Sequence, residues 1–181
     1  MAKIKLYIAA TLDGFIARED GSIDWLTAMP NPGGTDHGYN EFLQSVDTLV
    51  MGRKTYDDVL GFGIPWPYPD HKTYVVTANN DFKTSTPATE IIHAINRETI
   101  QMLKRASRNN IWLVGGGEIV TAFLNENAID EMIISVIPIL LGKGIRLFQH
   151  ELKETRFGLV SAQTFETGVV NLVYRKSEIS S

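Results

Sequence analysis

Cysteine is absent from the 181-residue sequence, and with it go disulfides, thiol nucleophiles, zinc ribbons and iron–sulfur clusters. Redox chemistry, if present, must be borrowed from a cofactor. Long apolar runs are also missing. The most hydrophobic stretch, Met132 to Leu141, is broken by Ser135 and Pro138 and falls far short of the roughly 20 residues a membrane helix needs. The run Ile4 to Ala10 carries a charge inside it and stops at Asp13, too short and too interrupted for a secretory signal. A cytoplasmic protein with no membrane partner is expected. Positive charge is not in excess, since 17 Lys and Arg stand against 21 Asp and Glu for a formal charge of -4. That balance argues against a broad nucleic-acid footprint but allows a local anion site.

Several catalytic signatures are missing too. His37, His71, His93 and His150 have no short metal-ligand spacing, so no metal site is expected. Neither H-E-x-x-H nor G-x-S-x-G nor G-x-x-x-x-G-K-[ST] occurs, and G-x-G-x-x-G fails because Val120 stands where the last glycine belongs. Metalloprotease, serine hydrolase, P-loop and plain Rossmann readings lose their support.

What remains is an ordinary globular composition, 44% hydrophobic and 21% charged, read as a single domain over residues 1–181. Strand-like runs at Lys3 to Ala10, Thr48 to Gly52, Thr73 to Thr77, Glu90 to His93, Ile111 to Gly115 and Glu131 to Ile137 alternate with helical patterns. The helices are expected at Tyr39 to Ser45, Lys54 to Leu60, Arg97 to Ala106 and Glu118 to Asn125; Asn96 is a good N-cap for the third. Such alternation predicts an α/β sheet. Phe157 to Glu166 and Val169 to Arg175, joined by Thr167-Gly168, predict an antiparallel hairpin at the end.

Two strand-to-helix junctions carry the chemistry. Gly115-Gly116-Gly117-Glu118-Ile119 puts side-chain-free residues at a helix start, where backbone N–H groups and the helix dipole suit a pyrophosphate. A turn that merely needs positive φ explains the same glycines. Gly52-Arg53-Lys54-Thr55 adds two cations and a hydroxyl at another helix start, an arrangement that asks for an anion such as a 2′-phosphate unless the side chains swing into solvent. Thr77-Ala78-Asn79 ends a third strand. Ala9, Ala10, Gly14 and Ile16 give a small-residue surface on which a flat ring can lie, or simply a strand end and turn. Asp36 sits in a turn-rich segment before a helix bearing Tyr39 and Phe42; it is either a substrate-binding acid or a helix cap. Trp25, Trp66 and Tyr68 can stack on a ring or cover core edges.

Taken in order, Ile8 to Ala17, Gly21 to Leu26, Val50 to Tyr56, Val114 to Glu118 and Pro138 to Gly144 make the chain resemble the dihydrofolate reductase superfamily. It is most similar to the stand-alone relatives of the C-terminal reductase domain of the bifunctional riboflavin-biosynthesis deaminase-reductase. The resemblance implies a three-layer α/β fold with a mixed, mostly parallel sheet of about eight strands, an antiparallel C-terminal hairpin and flanking helices. It implies NADPH as cofactor, with Gly52, Arg53, Lys54, Thr55, Thr77, Ala78 and Asn79 at the 2′-phosphate. Gly115, Gly116, Gly117, Glu118 and Ile119 would hold the pyrophosphate, and Ala9, Ala10, Gly14 and Ile16 the nicotinamide. Residues 12 to 26 would form a loop closing over the cofactor. Trp25, Asp36, Tyr39 and Phe42 would bind substrate, with Asp36 relaying a proton if burial raises its pKa.

The implied activity is hydride transfer from NADPH to a small, pterin- or aminopyrimidine-like heterocycle, related to dihydrofolate reductase and to 5-amino-6-(5-phosphoribosylamino)uracil reductase. A non-catalytic NADP(H)-binding protein with a degenerate substrate pocket is the alternative. No arginine lies between Arg53 and Arg97 to clamp a folate glutamate, and no cysteine is present for a fused zinc deaminase. Only a reductive reaction is expected. A homodimer is expected as well, with the apolar Met132 to Leu147 region as its interface.

Overall fold

Parallel strands joined through helices build most of the computed structural model, which describes residues 1–149 and 151–177. His150 lies outside the described residues. In chain order the elements are β1 (Ile4–Thr11), β2 (Phe15–Ala17), α1 (Asp24–Thr27), α2 (Tyr39–Gln44), β3 (Val46–Gly52), α3 (Arg53–Leu60), β4 (Lys72–Val76) and β5 (Thr89–Ile92). They continue with α4 (Arg97–Ala106), β6 (Asn110–Gly115), α5 (Gly117–Asn125), β7 (Glu131–Ile137), β8 (Ile145–Arg146), β9 (Phe157–Thr164) and β10 (Val170–Lys176).

The main sheet has eight strands in the order β5-β4-β3-β6-β1-β7-β10-β9. The first six are mutually parallel, and β10 runs antiparallel to both β7 and β9. Side chains alternate between its faces with the period of two that strands impose. Leu6, Val50 and Leu113 enter one core together with Ile100 and Leu103 of α4 and Val120 and Phe123 of α5. Leu49, Met51 and Trp112 enter the other, with Phe42 of α2 and Tyr56 and Val59 of α3. Three layers result, as the resemblance implies.

Helix α4 repeats its sequence signals in three dimensions. The Asn96 side chain accepts the Thr99 N–H at 2.9 Å, Glu98 stands in the first turn, and Lys104 and Arg105 stand in the last, in line with the helix dipole. The C-terminal hairpin closes through Glu166 and Thr167. Gly168 at φ 84° donates to the Phe165 carbonyl and bends the chain where a Cβ would be strained.

Three short elements escape the sequence reading: β2, α1 and β8. None is long enough to develop a periodicity. β2 and β8 form a separate two-stranded ribbon whose halves lie far apart in sequence. Within the region expected as a dimer face, Met132 and Ile137 are buried because β7 is an interior strand between β1 and β10, and Leu147 is buried beyond β8, whereas Leu140 in the loop after β7 is exposed. The exposed apolar side chains Leu159 and Val160 belong to the edge strand β9.

A cross-strand ion triple ties β7 to its neighbours. Glu131 is paired in register with Lys5 of β1 and Arg175 of β10, at 3.3 and 3.0 Å. Burial pushes the Glu131 carboxyl up, but Arg175 and Lys5 together outweigh it and hold the group below its ordinary 4.5. A carboxyl lowered on folding stabilises the fold above its unfolded pKa, and that contribution is lost as pH falls through the folded value. Glu131→Gln is therefore expected to lower the urea midpoint at pH 7 and to flatten the decline of that midpoint below pH 4.5. In the larger core, Phe123→Ala is expected to cost about 3–5 kcal/mol, read from urea unfolding.

Candidate functional site

β3 and β6 are adjacent in the sheet, yet the helices that follow them leave by opposite faces, α3 toward one core and α5 toward the other. A crevice necessarily opens between them at the carboxyl ends of the strands, the place where open α/β sheets bind ligands. The two junctions lie against each other. A Cβ on Gly52 would come within 3.1 Å of the Ile119 side chain, and one on Gly116 would lie 3.7 Å from Thr55 Oγ1. The glycine run therefore serves two purposes. Gly115, at φ 126°, needs the conformation, whereas Gly117 needs the space, since its Cβ would fall 2.3 Å from the Arg146 carbonyl oxygen.

Neither α3 nor α5 has a side-chain cap, whereas α4 has one. The first-turn N–H groups of both helices thus point at the crevice without protein acceptors among the described residues. The crevice continues into a cavity of about 1130 Å³ across the ends of the parallel strands, somewhat above the usual 300–1,000 Å³ of small-molecule sites.

The predicted cofactor residues divide. Ala9, Ile16, Gly52, Arg53, Lys54, Thr55, Thr77, Ala78, Gly116, Gly117, Glu118 and Ile119 all line the cavity. Ala10, Gly14, Asn79 and Gly115 do not. Ala10 turns into the core, Gly14 forms the β1–β2 turn and accepts the Leu147 N–H, Asn79 caps the Asp81 N–H, and Gly115 lies buried behind Gly116. Arg53 is half exposed, 3.4 Å from Asp57 and above the Phe82 ring. Arg146, missed in the sequence, adds a third cation to the wall and rests on the Phe15 ring at 5.0 Å. Asp58, also missed, lines the wall; burial pushes its carboxyl up.

The predicted substrate residues divide as well. Tyr39 and Asp36 line the cavity. Trp25 and Phe42 are core residues: Trp25 packs with Ile137 and Val169, and Phe42 lies under Tyr7 and Trp112. Trp66 likewise packs edge-on against Tyr68, and only Tyr68 of that pair reaches the cavity. Asp36 is exposed and accepts the N–H groups of Gly38 at 3.0 Å and Asn40 at 2.9 Å. These bonds hold its carboxyl below the ordinary 3.8, so the raised pKa a proton relay would need is not there, and the helix-cap reading describes its geometry.

A polar cluster missed in the sequence borders the same end. Tyr7 Oη and Asn171 Nδ2 both donate to the His37 carbonyl, at 3.1 and 2.7 Å, and Ser135 Oγ donates to Asn171 Oδ1 at 2.7 Å. Burial pushes the Tyr7 phenol up. The His37 ring contacts Thr167 Oγ1 at 2.8 Å. Strand alternation is the signal that finds Tyr7, because it shares a face of β1 with Ala9.

Known proteins resemble this arrangement at several distances. The family profile described as the RibD C-terminal domain matches residues 68–171. The Bacillus subtilis protein YwjB is 44% identical over 92% of this chain and 94% of its own. A crystal structure of a Shewanella sp. PV-4 protein superposes with a TM-score of 0.87 at 32% identity, covering 98% of this chain and 100% of the other. Dihydrofolate reductase from Enterococcus faecalis, complexed with NADP(H), shares the fold at a TM-score of 0.67 and 15% identity, with 97% of each chain covered. The sheet order, the crevice and these matches agree, and the chain belongs to the RibD C-terminal domain family.

Proposed function

We propose that the protein is an NADPH-dependent reductase that transfers hydride to a small heterocyclic substrate. One observation carries this reading: two uncapped helix starts, flanked by Arg53, Lys54 and Arg146, open onto one cavity lined with glycine. The residues fit a phosphorylated dinucleotide. Gly52, Gly116 and Gly117 line the wall without side chains, the α5 N–H groups suit a pyrophosphate, and Arg53, Lys54 and Thr55 suit a further phosphate. NADPH supplies the hydride when bound, and the protein supplies alignment and exclusion of water. Alignment alone is worth roughly 7–11 kcal/mol of barrier, so no protein nucleophile is required.

Ala9 and Ile16 would support the nicotinamide, and residues 12–26 would close over it. Asp36 would orient the substrate through its remaining lone pairs while staying ionised. That lowered pKa favours a second reading, an NADP(H)-binding protein without turnover. We place the protein in the cytoplasm and propose a homodimer through the exposed Leu159 and Val160 face of β9.

Fluorescence titration tests the cofactor. NADPH is expected to bind at least tenfold tighter than NADH, a difference of about 1.4 kcal/mol. The double variant Arg53→Ala, Lys54→Ala is expected to erase that preference while leaving NADH affinity within about twofold. Equal affinities in the unaltered protein would sink the proposal. Steady NADPH oxidation on adding pterins or aminopyrimidines would separate the reductase from the silent binder.

A further inference from the structure

Charge is distributed unevenly along the cavity. Among the described residues that line it, the Lys and Arg side chains are Arg53 and Lys54 at the end of β3 and Arg146 beside the start of α5. β7 lies three strand positions from β3, about 14 Å away at the usual inter-strand spacing. There the wall is formed by Tyr7, His37, Tyr39, Ser135 and Val169, with the carboxylate of Asp36 and no Lys or Arg among the described lining residues.

Hydrogen-bond accounting at that end gives a second asymmetry. The Tyr7 hydroxyl proton is already donated to the His37 carbonyl, and the Ser135 hydroxyl proton to Asn171 Oδ1. What these two hydroxyls can still offer is lone pairs, and Asp36 is acceptor-only while ionised. Lone pairs of Tyr7, Ser135 and Asp36 therefore line one end of the pocket, beside the His37 ring and the Tyr39 hydroxyl, which donates to Tyr68. N–H groups on a flat ring satisfy such a set. A phosphate there would lose its hydration, meet no Lys or Arg, and stand near a like charge.

Building on the NADPH reading, we propose that the β7 end takes a heterocycle with an amino-rich edge and no phosphate. The substrate class thus differs from the phosphoribosyl compound that the likeness to the aminouracil reductase implies. The cations of the cavity are committed to the coenzyme, and the substrate is recognised by donors it carries itself.

Matched pairs test this: 6-hydroxymethylpterin against its phosphate ester, and 5,6-diaminouracil riboside against its 5′-phosphate. Calorimetric titration at pH 8 is run with and without saturating NADP+. In any pair that binds, the unphosphorylated member is expected to be at least tenfold tighter. Asp36→Asn is expected to narrow that gap. Met29→Lys, which puts a cation on the wall without touching the α2 cap, is expected to tighten the phosphate ester about tenfold. Equal or tighter binding of the phosphorylated members to the unaltered protein overturns the proposal, and so does failure of all four compounds to bind. NADP+ binding, recorded in the same titrations, scores the coenzyme reading separately: coenzyme binding with phosphate preference removes the substrate inference alone.

Discussion

Backbone dipoles, more than side chains, organise this molecule. Two helices begin beside each other at the ends of adjacent strands and leave by opposite faces, so their unsatisfied N–H groups share one opening. Positive potential at such a place normally draws in a capping Ser or Asp. Here the positions before the helices are Gly52 and Gly116, and the lining is completed by basic side chains. An unfilled electrostatic demand has been kept open, and much of the surrounding packing, down to the contact of Gly117 with the Arg146 carbonyl, serves to hold it in shape.

A carboxylate in the first turn helps to fasten the rim. Asp13, in the turn after β1, accepts the Gly142 N–H at 2.7 Å and the Leu141 N–H at 3.2 Å, and Thr11 Oγ1 donates to it as well. These bonds, Thr11 foremost, hold Asp13 below its ordinary value. Gly144 then passes so close to the Ala17 carbonyl that a Cβ would sit 2.3 Å from it. The segments Asp13 to Ala17 and Pro138 to Gly144, both noticed as sequence fragments, are thus two halves of one local structure.

Legibility followed the range of the interactions. Helix α4 reads directly, because its cap, charge bias and apolar stripe are all local. The glycine junctions read well because helix starts and small residues are also local. β8 carries Arg146 into the cavity wall but pairs with β2, and nothing near position 146 in the sequence announces that pairing. Aromatic residues misled for a different reason. Phe42 and Trp25 fill core positions that a linear pattern cannot separate from a cavity wall. Asp36 is ambiguous in the sequence because a cap and a substrate-binding acid call for the same residue in the same turn, and the structure shows its bonds to the Gly38 and Asn40 N–H groups.

The central place of β1 bears on how the chain is made. Its partners are β6 and β7, which lie more than a hundred residues further on, as in the pairs Ile4 with Ile111 and Lys5 with Glu131. During synthesis β1 precedes the strands it pairs with, so its apolar residues stay uncovered until β6 and β7 have left the ribosome. Contacts that remote are slow to form. The cavity wall to which Ala9 contributes therefore forms only after β7 has been made.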